Sequence, residues 1–299
     1  MKAFEAIGPH HFGRTRRPGY QCSAIAFGYH ERGPIRGRGF GSSQRRSRRP
    51  SAQKGDRMAA ARVHPSALIG DGVTLGADVV VGPGAVLLGP LTVGDRVWIG
   101  PQVVIGTPPE MGSRRQNAAW EGDLDHCGVE IGDDVVIREL STIHQGSHRS
   151  TVIGTGSWLL NSVYVAHDCL VGAQVTLSAG VRVGGHVIIG EHTNVGMNAA
   201  VHQYRVIGAG SMVGMGSPVT HDLPPFAKAY GSPIRLHGLN SYVVNKLGVG
   251  PDAAAALADA YARGDFSLVG ADTDPALADI VTWWRAQAPQ RLIGSGSIT

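Results

Sequence analysis

The stretch NSVYVAHDC, residues 161–169, sets an imidazole beside a carboxylate, His167 and Asp168, in a chain otherwise rich in valine, isoleucine, glycine and alanine. A neutral imidazole titrates near pH 6.5 and takes a proton from an alcohol, which is a poor nucleophile without such a base. A neighbouring carboxylate holds the ring's tautomer and stabilises the imidazolium that forms. Successive side chains on a strand diverge, so these two cooperate only if a turn brings them round. Gly185 follows His167 by 18 residues and Gln203 follows Gly185 by another 18.

What must position them is a lattice with a period of six. Val63, Ile69, Leu75, Val81, Leu87, Val93, Ile99 and Ile105 form one run; Ile131, Ile137 and Ile143 a second; and Ile153 starts a third that reaches Val219 with Val, Ile or Leu at every sixth residue. Six steps of about 100° would scatter these side chains around a helix, so a helix is excluded. Six is a multiple of the strand period of two, and a short strand plus a turn returns every sixth side chain to the interior. The pattern predicts a β-solenoid.

The residue after the aliphatic one is often glycine (Gly70, Gly76, Gly82, Gly94, Gly100), which suits a corner with positive φ. The position four after it (Ala67, Val73, Val79, Ala85, Val163, Val175, Val181) is the second inward set, and Cys169 falls in it as packing. His167 and Asp168 fall two and three residues after Val165, off both inward positions, so neither is a core residue. Loops at 107–130 and 144–152 interrupt the lattice and are expected to leave the coil, gathering on a binding face. The period stops around Pro224 and Pro225. Gly250-Pro251-Asp252 and Asp274-Pro275 read as helix starts, and PDAAAALADAYAR and PALADIVTWWRAQ as amphipathic helices. The domains expected are a solenoid over 62–226 and a helical domain over 227–299 that closes its end.

The 43 glycines among 299 residues ask for many turns, and no run approaches the roughly 18 apolar residues of a membrane helix, so no membrane insertion is expected. Three scattered cysteines give no disulfide framework or zinc knuckle, and a reducing cytoplasm fits. Residues 1–57 carry +10 of formal charge, against −6 for the remainder. This basic arm lacks periodicity and is read as disordered. A basic arm can bind nucleic acid, and its Arg and Ser content loosely resembles a transit peptide. The reading preferred is a dispensable tail, or a reading frame opened early with Met58 as the true start, and no nucleic-acid partner is expected.

The repeat resembles that of the hexapeptide acyltransferases, whose coils form a left-handed parallel β-helix. More narrowly, IGTPPE (105–110), VEIGDDVVIRELSTIHQG (129–146), VAHDCLVG (165–172), GGH (184–186), AVHQY (200–204) and DLPPFAKAYGSP (222–233) resemble, in order and spacing, the UDP-N-acetylglucosamine O-acyltransferases of lipid A biosynthesis. The likeness spans about residues 62–293. It implies a mainly β fold with a small C-terminal α-helical domain. It implies acyl transfer from acyl carrier protein to the 3-hydroxyl of UDP-N-acetylglucosamine, in a cytoplasmic homotrimer with sites between subunits, with no cofactor and no metal.

By the same resemblance His167 is the general base, Asp168 its partner, and Gly185 the main-chain donor to the thioester oxyanion. His144, His186, His202, Gln203, Asn240 and Lys246 match acceptor-binding positions. Met215, with Met197 one coil below, matches the position that limits acyl length. Lys228, Arg235, Lys246 and Arg263 are cations available to an acidic carrier protein. The chain departs from the family at Tyr164, where histidine is common; at Leu247, where a second basic residue is common beside Lys246; and at Glu110-Met111-Gly112-Ser113, where Asp-Leu-Lys is common. These departures weaken the expected grip on UDP. Transfer to a different nucleotide sugar, a zinc lyase of the γ-carbonic anhydrase type, and a binding protein that has lost transfer stay open, although the histidine spacing does not reproduce the closing His-x4-His pair of the lyase.

Overall fold

The computed structural model describes residues 59–287, 289 and 291–294. The basic arm, Met58 and the last five residues of the expected helical domain lie outside them. Strands of two to four residues repeat along three faces and pair in parallel; with a final five-residue antiparallel strand, Arg235–Leu239, they make sheets of ten, eight and seven strands. Where no insertion intervenes, partners along the coils stand 18 residues apart, as in Val165 with Val183 and Val183 with Val201. The fold is therefore a parallel β-helix of three-sided coils, each coil built of three six-residue repeats. Of the 23 aliphatic positions of the lattice, 20 are buried; Val63 and Ile69, at 39% and 38% exposed, and the partly buried Leu75 lie in the first coil, with nothing described beneath them.

The glycines that follow the aliphatic positions serve a purpose other than the one expected of them. Gly70, Gly76, Gly82, Gly94 and Gly100 do not have positive φ; that conformation falls two residues later, at Gly72, Asp78, Gly84, Arg96 and Gln102. At Gly76 and Gly82 a Cβ would stand 2.5 Å from the Gly94 carbonyl carbon and 2.8 Å from the Pro101 nitrogen of the next coil. Glycine there lets stacked backbones approach. The left-handed residue three after the aliphatic one makes the corner, and Asp, Asn, His and Gly tolerate it best.

Both insertions leave the coil at one corner. The first lies between Val104–Thr107 of the second sheet and Val129–Ile131 of the third, and the second between Thr142–His144 and Thr151–Ile153 of the same two sheets. His167 lies at this corner too, between Tyr164–Val165 and Leu170–Val171.

The C-terminal end differs from expectation at its start. Residues 227–239 are not helical: Ala227–Tyr230 pairs in parallel with Met212–Val213 and returns antiparallel as Arg235–Leu239, extending the first sheet by two strands. Pro224 and Pro225 end the six-residue period without ending the sheet, because a parallel partner needs only extended backbone in register. Helices α1 (Ser241–Lys246), α2 (Pro251–Ala262) and α3 (Ala278–Ala286) follow. Pro251 opens α2 as read. Asp274 stands four residues ahead of α3, its side chain accepting the Ala276 N–H in a turn that leads into the helix. Leu257 and Tyr261 of α2 are buried, and the Tyr261 hydroxyl donates to the Pro225 carbonyl at 2.7 Å, seating the helices on the last coil.

Candidate active site

The corner between the second and third sheets stacks His167, Gly185 and Gln203 in successive coils, with Asp168, His186 and Tyr204 beside them, all three at φ near +60°. That left-handed turn is what brings His167 and Asp168 together: His167 Nδ1 and Asp168 Oδ2 lie 2.7 Å apart. Both residues lie outside the aliphatic interior, yet both are buried, His167 at 8% and Asp168 at 0% exposed. The second insertion covers them. It wraps the carboxylate, whose Oδ1 accepts from the main-chain N–H groups of Ser147, His148 and Arg149 at 2.8–3.0 Å, while Oδ2 also accepts from Ser147 Oγ at 2.7 Å.

Burial by itself would raise the Asp168 carboxyl; the His167 bond and the donors of residues 147–149 outweigh it and hold the group well below the usual carboxylate range. An ionised carboxylate can only accept, so His167 Nδ1 carries a proton and the neutral ring presents Nε2 as a base. Gly185 lies against that ring: a Cβ on it would stand 2.7 Å from His167 Nε2 and Cε1. No described residue accepts a hydrogen bond from the Gly185 N–H. His186 packs edge-on against His167 at 5.0 Å and stacks on Tyr204 at 4.6 Å. Burial, partly opposed by Asp168, moves the His186 imidazole below its ordinary range, favouring the neutral ring.

His144 sits one coil below, its Nδ1 2.9 Å from Glu110 Oε2, 3.0 Å from Thr107 Oγ1 and 3.1 Å from the Pro108 carbonyl. The Tyr164 hydroxyl donates to the other Glu110 oxygen. Burial raises the Glu110 carboxyl, but the bonds from His144 and Tyr164 bring it below the ordinary value. His202 and Gln203 are exposed one coil above Gly185. Cys169 is sealed in the interior, where burial pushes its thiol up to about 12, so it serves as packing.

Other predicted residues lie elsewhere on the chain. Met197 and Met215 are exposed and stacked at the corner between the first and second sheets. Asn240 is buried and donates to the Gly210 carbonyl at the third corner, near which Lys246 stands at the end of α1. The sequence reading missed the donors of residues 147–149. Its available signal was that both insertions follow the same face of the coil as His167. It also read Glu110 and Tyr164 only as separate departures.

Among the described residues one group, His167, Asp168 and His186, brings a histidine or acidic ligand atom from each residue within 4.8 Å of the others. A catalytic zinc needs three protein ligands with lone pairs to spare. Here His167 Nδ1 and Asp168 Oδ2 are bonded to each other, which takes up two of the atoms such a site would draw on.

The network around Asp168 predicts a stability effect. Asp168→Asn leaves donors facing an amide NH2 and should cost roughly 3 kcal/mol at pH 7, read by urea unfolding. The folded group has a lowered pKa, so its contribution is complete above the unfolded value of about 3.9 and is lost as pH falls towards the folded one. The gap between wild type and variant should therefore narrow below about pH 4, by at most about 1.4 kcal/mol per pH unit. A gap independent of pH between 7 and 3 would contradict it.

No family model matches the chain. An acyl-[acyl-carrier-protein]–UDP-N-acetylglucosamine O-acyltransferase of Burkholderia thailandensis is 37% identical over 154 residues, covering 50% of this chain and 58% of that protein. The same enzyme of Burkholderia lata is 35% identical over 154 residues, with the same coverage of both chains. The matched stretch thus spans under two thirds of these curated relatives. Among solved structures, a UDP-N-acetylglucosamine acyltransferase from Campylobacter jejuni superposes with a TM-score of 0.62 at 25% identity, over 79% of this chain and 98% of that one. The UDP-N-acetylglucosamine O-acyltransferase of Moraxella catarrhalis gives 0.57 at 28%, over 79% and 95%. The resemblance carried by the motifs is borne out by relatives in both sequence and structure.

Proposed function

We propose that the chain is an acyltransferase that moves an acyl group from acyl carrier protein to the 3-hydroxyl of UDP-N-acetylglucosamine. The observation that carries the reading is the His167–Asp168 pair, with a glycine main chain against the imidazole and an ionised carboxylate fixing its tautomer. His167 Nε2 takes the hydroxyl proton as the oxygen attacks the thioester carbonyl. The Gly185 N–H accommodates the charge on the tetrahedral oxygen. The carbon–sulfur bond then breaks, and the imidazolium returns its proton to the leaving thiolate, giving the ester and free carrier thiol. No acyl-enzyme is needed, and Cys169 is out of reach of any substrate.

The proposal includes a cytoplasmic homotrimer of left-handed coils. The catalytic pair, the methionines and Lys246 lie at three different corners of one chain, so a site that uses them all draws on a neighbouring copy. Lys246, Arg235 and Arg263 are exposed and positively charged, as docking of an acidic carrier requires. His186, His202 and Gln203 line the corner as contacts for the acceptor.

The test is to offer the purified protein a panel of nucleotide sugars with carrier-bound acyl chains of graded length, and to identify products by mass. Transfer to UDP-N-acetylglucosamine supports the reading, transfer only to another sugar revises the acceptor, and no transfer rejects it. Met215, at 71% exposed, projects from the corner where an acyl chain would run. Met215→Gly should lengthen the preferred donor in the same panel, and an unchanged preference would refute its role as a length stop.

A further inference from the structure

Three side chains meet near the catalytic pair. Glu110 comes from the first insertion, Tyr164 from the strand that leads into His167, and His144 from the strand one coil below. The two residues that break the family pattern are bonded to each other: Tyr164 donates to one Glu110 oxygen, and the other receives His144 Nδ1 at 2.9 Å. The Tyr164 ring also packs edge-on against the His144 ring at 5.2 Å.

The chemistry of the acceptors settles the His144 tautomer. Nδ1 faces the Pro108 carbonyl and a carboxylate, neither of which can donate. Nδ1 therefore bears a proton, and in the neutral ring Nε2 is a lone-pair acceptor. No described residue is a partner for Nε2. The carboxylate is the stronger of the two constraints because a charged acceptor gives a shorter, stronger hydrogen bond than a neutral one. Its lowered pKa keeps it ionised wherever the enzyme would work.

We propose that Glu110 and Tyr164 are positioning residues that hold His144 with Nδ1 protonated and Nε2 free, so that His144 accepts a hydrogen bond from a hydroxyl or amide N–H of the acceptor sugar. This rests on the acyl-transfer reading given above. It turns two departures that seemed to weaken the site into one device: the carboxylate orients the ring, and the tyrosine hydroxyl fixes the carboxylate.

The test combines steady-state kinetics with imidazole ¹⁵N spectra of histidine-labelled, full-length protein, the His144 signals being assigned by their loss in His144→Asn. The wild type should show the Nδ1–H tautomer. Glu110→Ala should shift His144 towards Nε2–H and raise KM for the acceptor about tenfold, leaving KM for the donor unchanged. Tyr164→Phe should raise acceptor KM about threefold, and the double variant should lose no more than Glu110→Ala alone, because the two act as a unit. Glu110→Gln, whose amide oxygen can still accept from Nδ1 and whose NH2 can donate to the tyrosine, should keep the tautomer and most of the affinity. Multiplicative losses in the double variant, or a wild-type tautomer and acceptor KM in Glu110→Ala, would overturn the proposal. If Glu110→Ala does not fold, a loss of the tautomer in Glu110→Gln, or an unchanged acceptor KM in Tyr164→Phe, overturns it instead. Should the wild type transfer nothing to any sugar, the enzymatic reading fails, and the tautomer in the Glu110 variants still decides whether the carboxylate orients His144.

Discussion

His167→Ala should lower kcat by roughly 10²–10⁴ while leaving the acceptor KM within a few-fold of wild type. The base acts only as the hydroxyl proton is lost, so its removal raises the barrier without loosening ground-state binding. The fold should survive. His167 lies outside the aliphatic interior, and Asp168 keeps the main-chain donors of residues 147–149 and the Ser147 hydroxyl when the imidazole is gone. Melting temperature and turnover measured on one preparation separate the two effects. Near-normal turnover in a folded variant would remove His167 from the mechanism, and the acyl-transfer reading with it, since no other described group combines a protonated Nδ1 held by a buried carboxylate with a main-chain N–H beside the ring.

The solenoid was legible because its signal is redundant: one aliphatic residue every six, at 23 positions, excludes a helix and returns a short strand to the interior at each repeat. The position of His167 relative to Val165 likewise placed it off the inward positions, since the register of a β-helix is fixed by its own period. Three features were not legible, each for a physical reason. Gly76 and its equivalents were assigned positive φ because glycine permits both a left-handed turn and a close approach, and only the stacked neighbour distinguishes them. The burial of Asp168 depends on a loop 20 residues earlier in the chain folding back over it, a contact with no periodic trace. The strand at Ala227–Tyr230 follows two prolines and lacks the repeat, so pairing with Met212–Val213 overrides the local sequence.

The departures at Glu110 and Tyr164 illustrate the same limit from the side of chemistry. Read one at a time against a family pattern, each looks like a loss. In space the two substituted side chains satisfy one another and a histidine that neither adjoins in sequence. What a pattern of single positions cannot carry is the pairing, and the pairing decides whether a carboxylate beside a histidine is a cost or an orienting group.

Gly185→Ala should be nearly as damaging as loss of the base, although it adds a single methyl group. The added carbon would sit 2.7 Å from His167 Nε2 and Cε1, closer than van der Waals contact allows. An unconstrained ring would swing aside at little cost, but this one is tied at Nδ1 to a carboxylate that is itself held by three main-chain donors and a hydroxyl. Either the Nδ1 bond breaks, or the coil carrying Gly185 moves and takes its N–H away from the oxyanion. Both outcomes strike catalysis, and a loss of about 10² or more in kcat is expected. Overpacking should also destabilise the fold by roughly 1–3 kcal/mol. Removing the obstacle supplies the decisive control: in a His167→Ala background the same methyl group meets no ring, so Gly185→Ala should then cost little stability and little further activity. If the two stability losses instead add in the double variant, the clash is not with the imidazole, and the close approach of glycine to base does not explain why this position has no side chain.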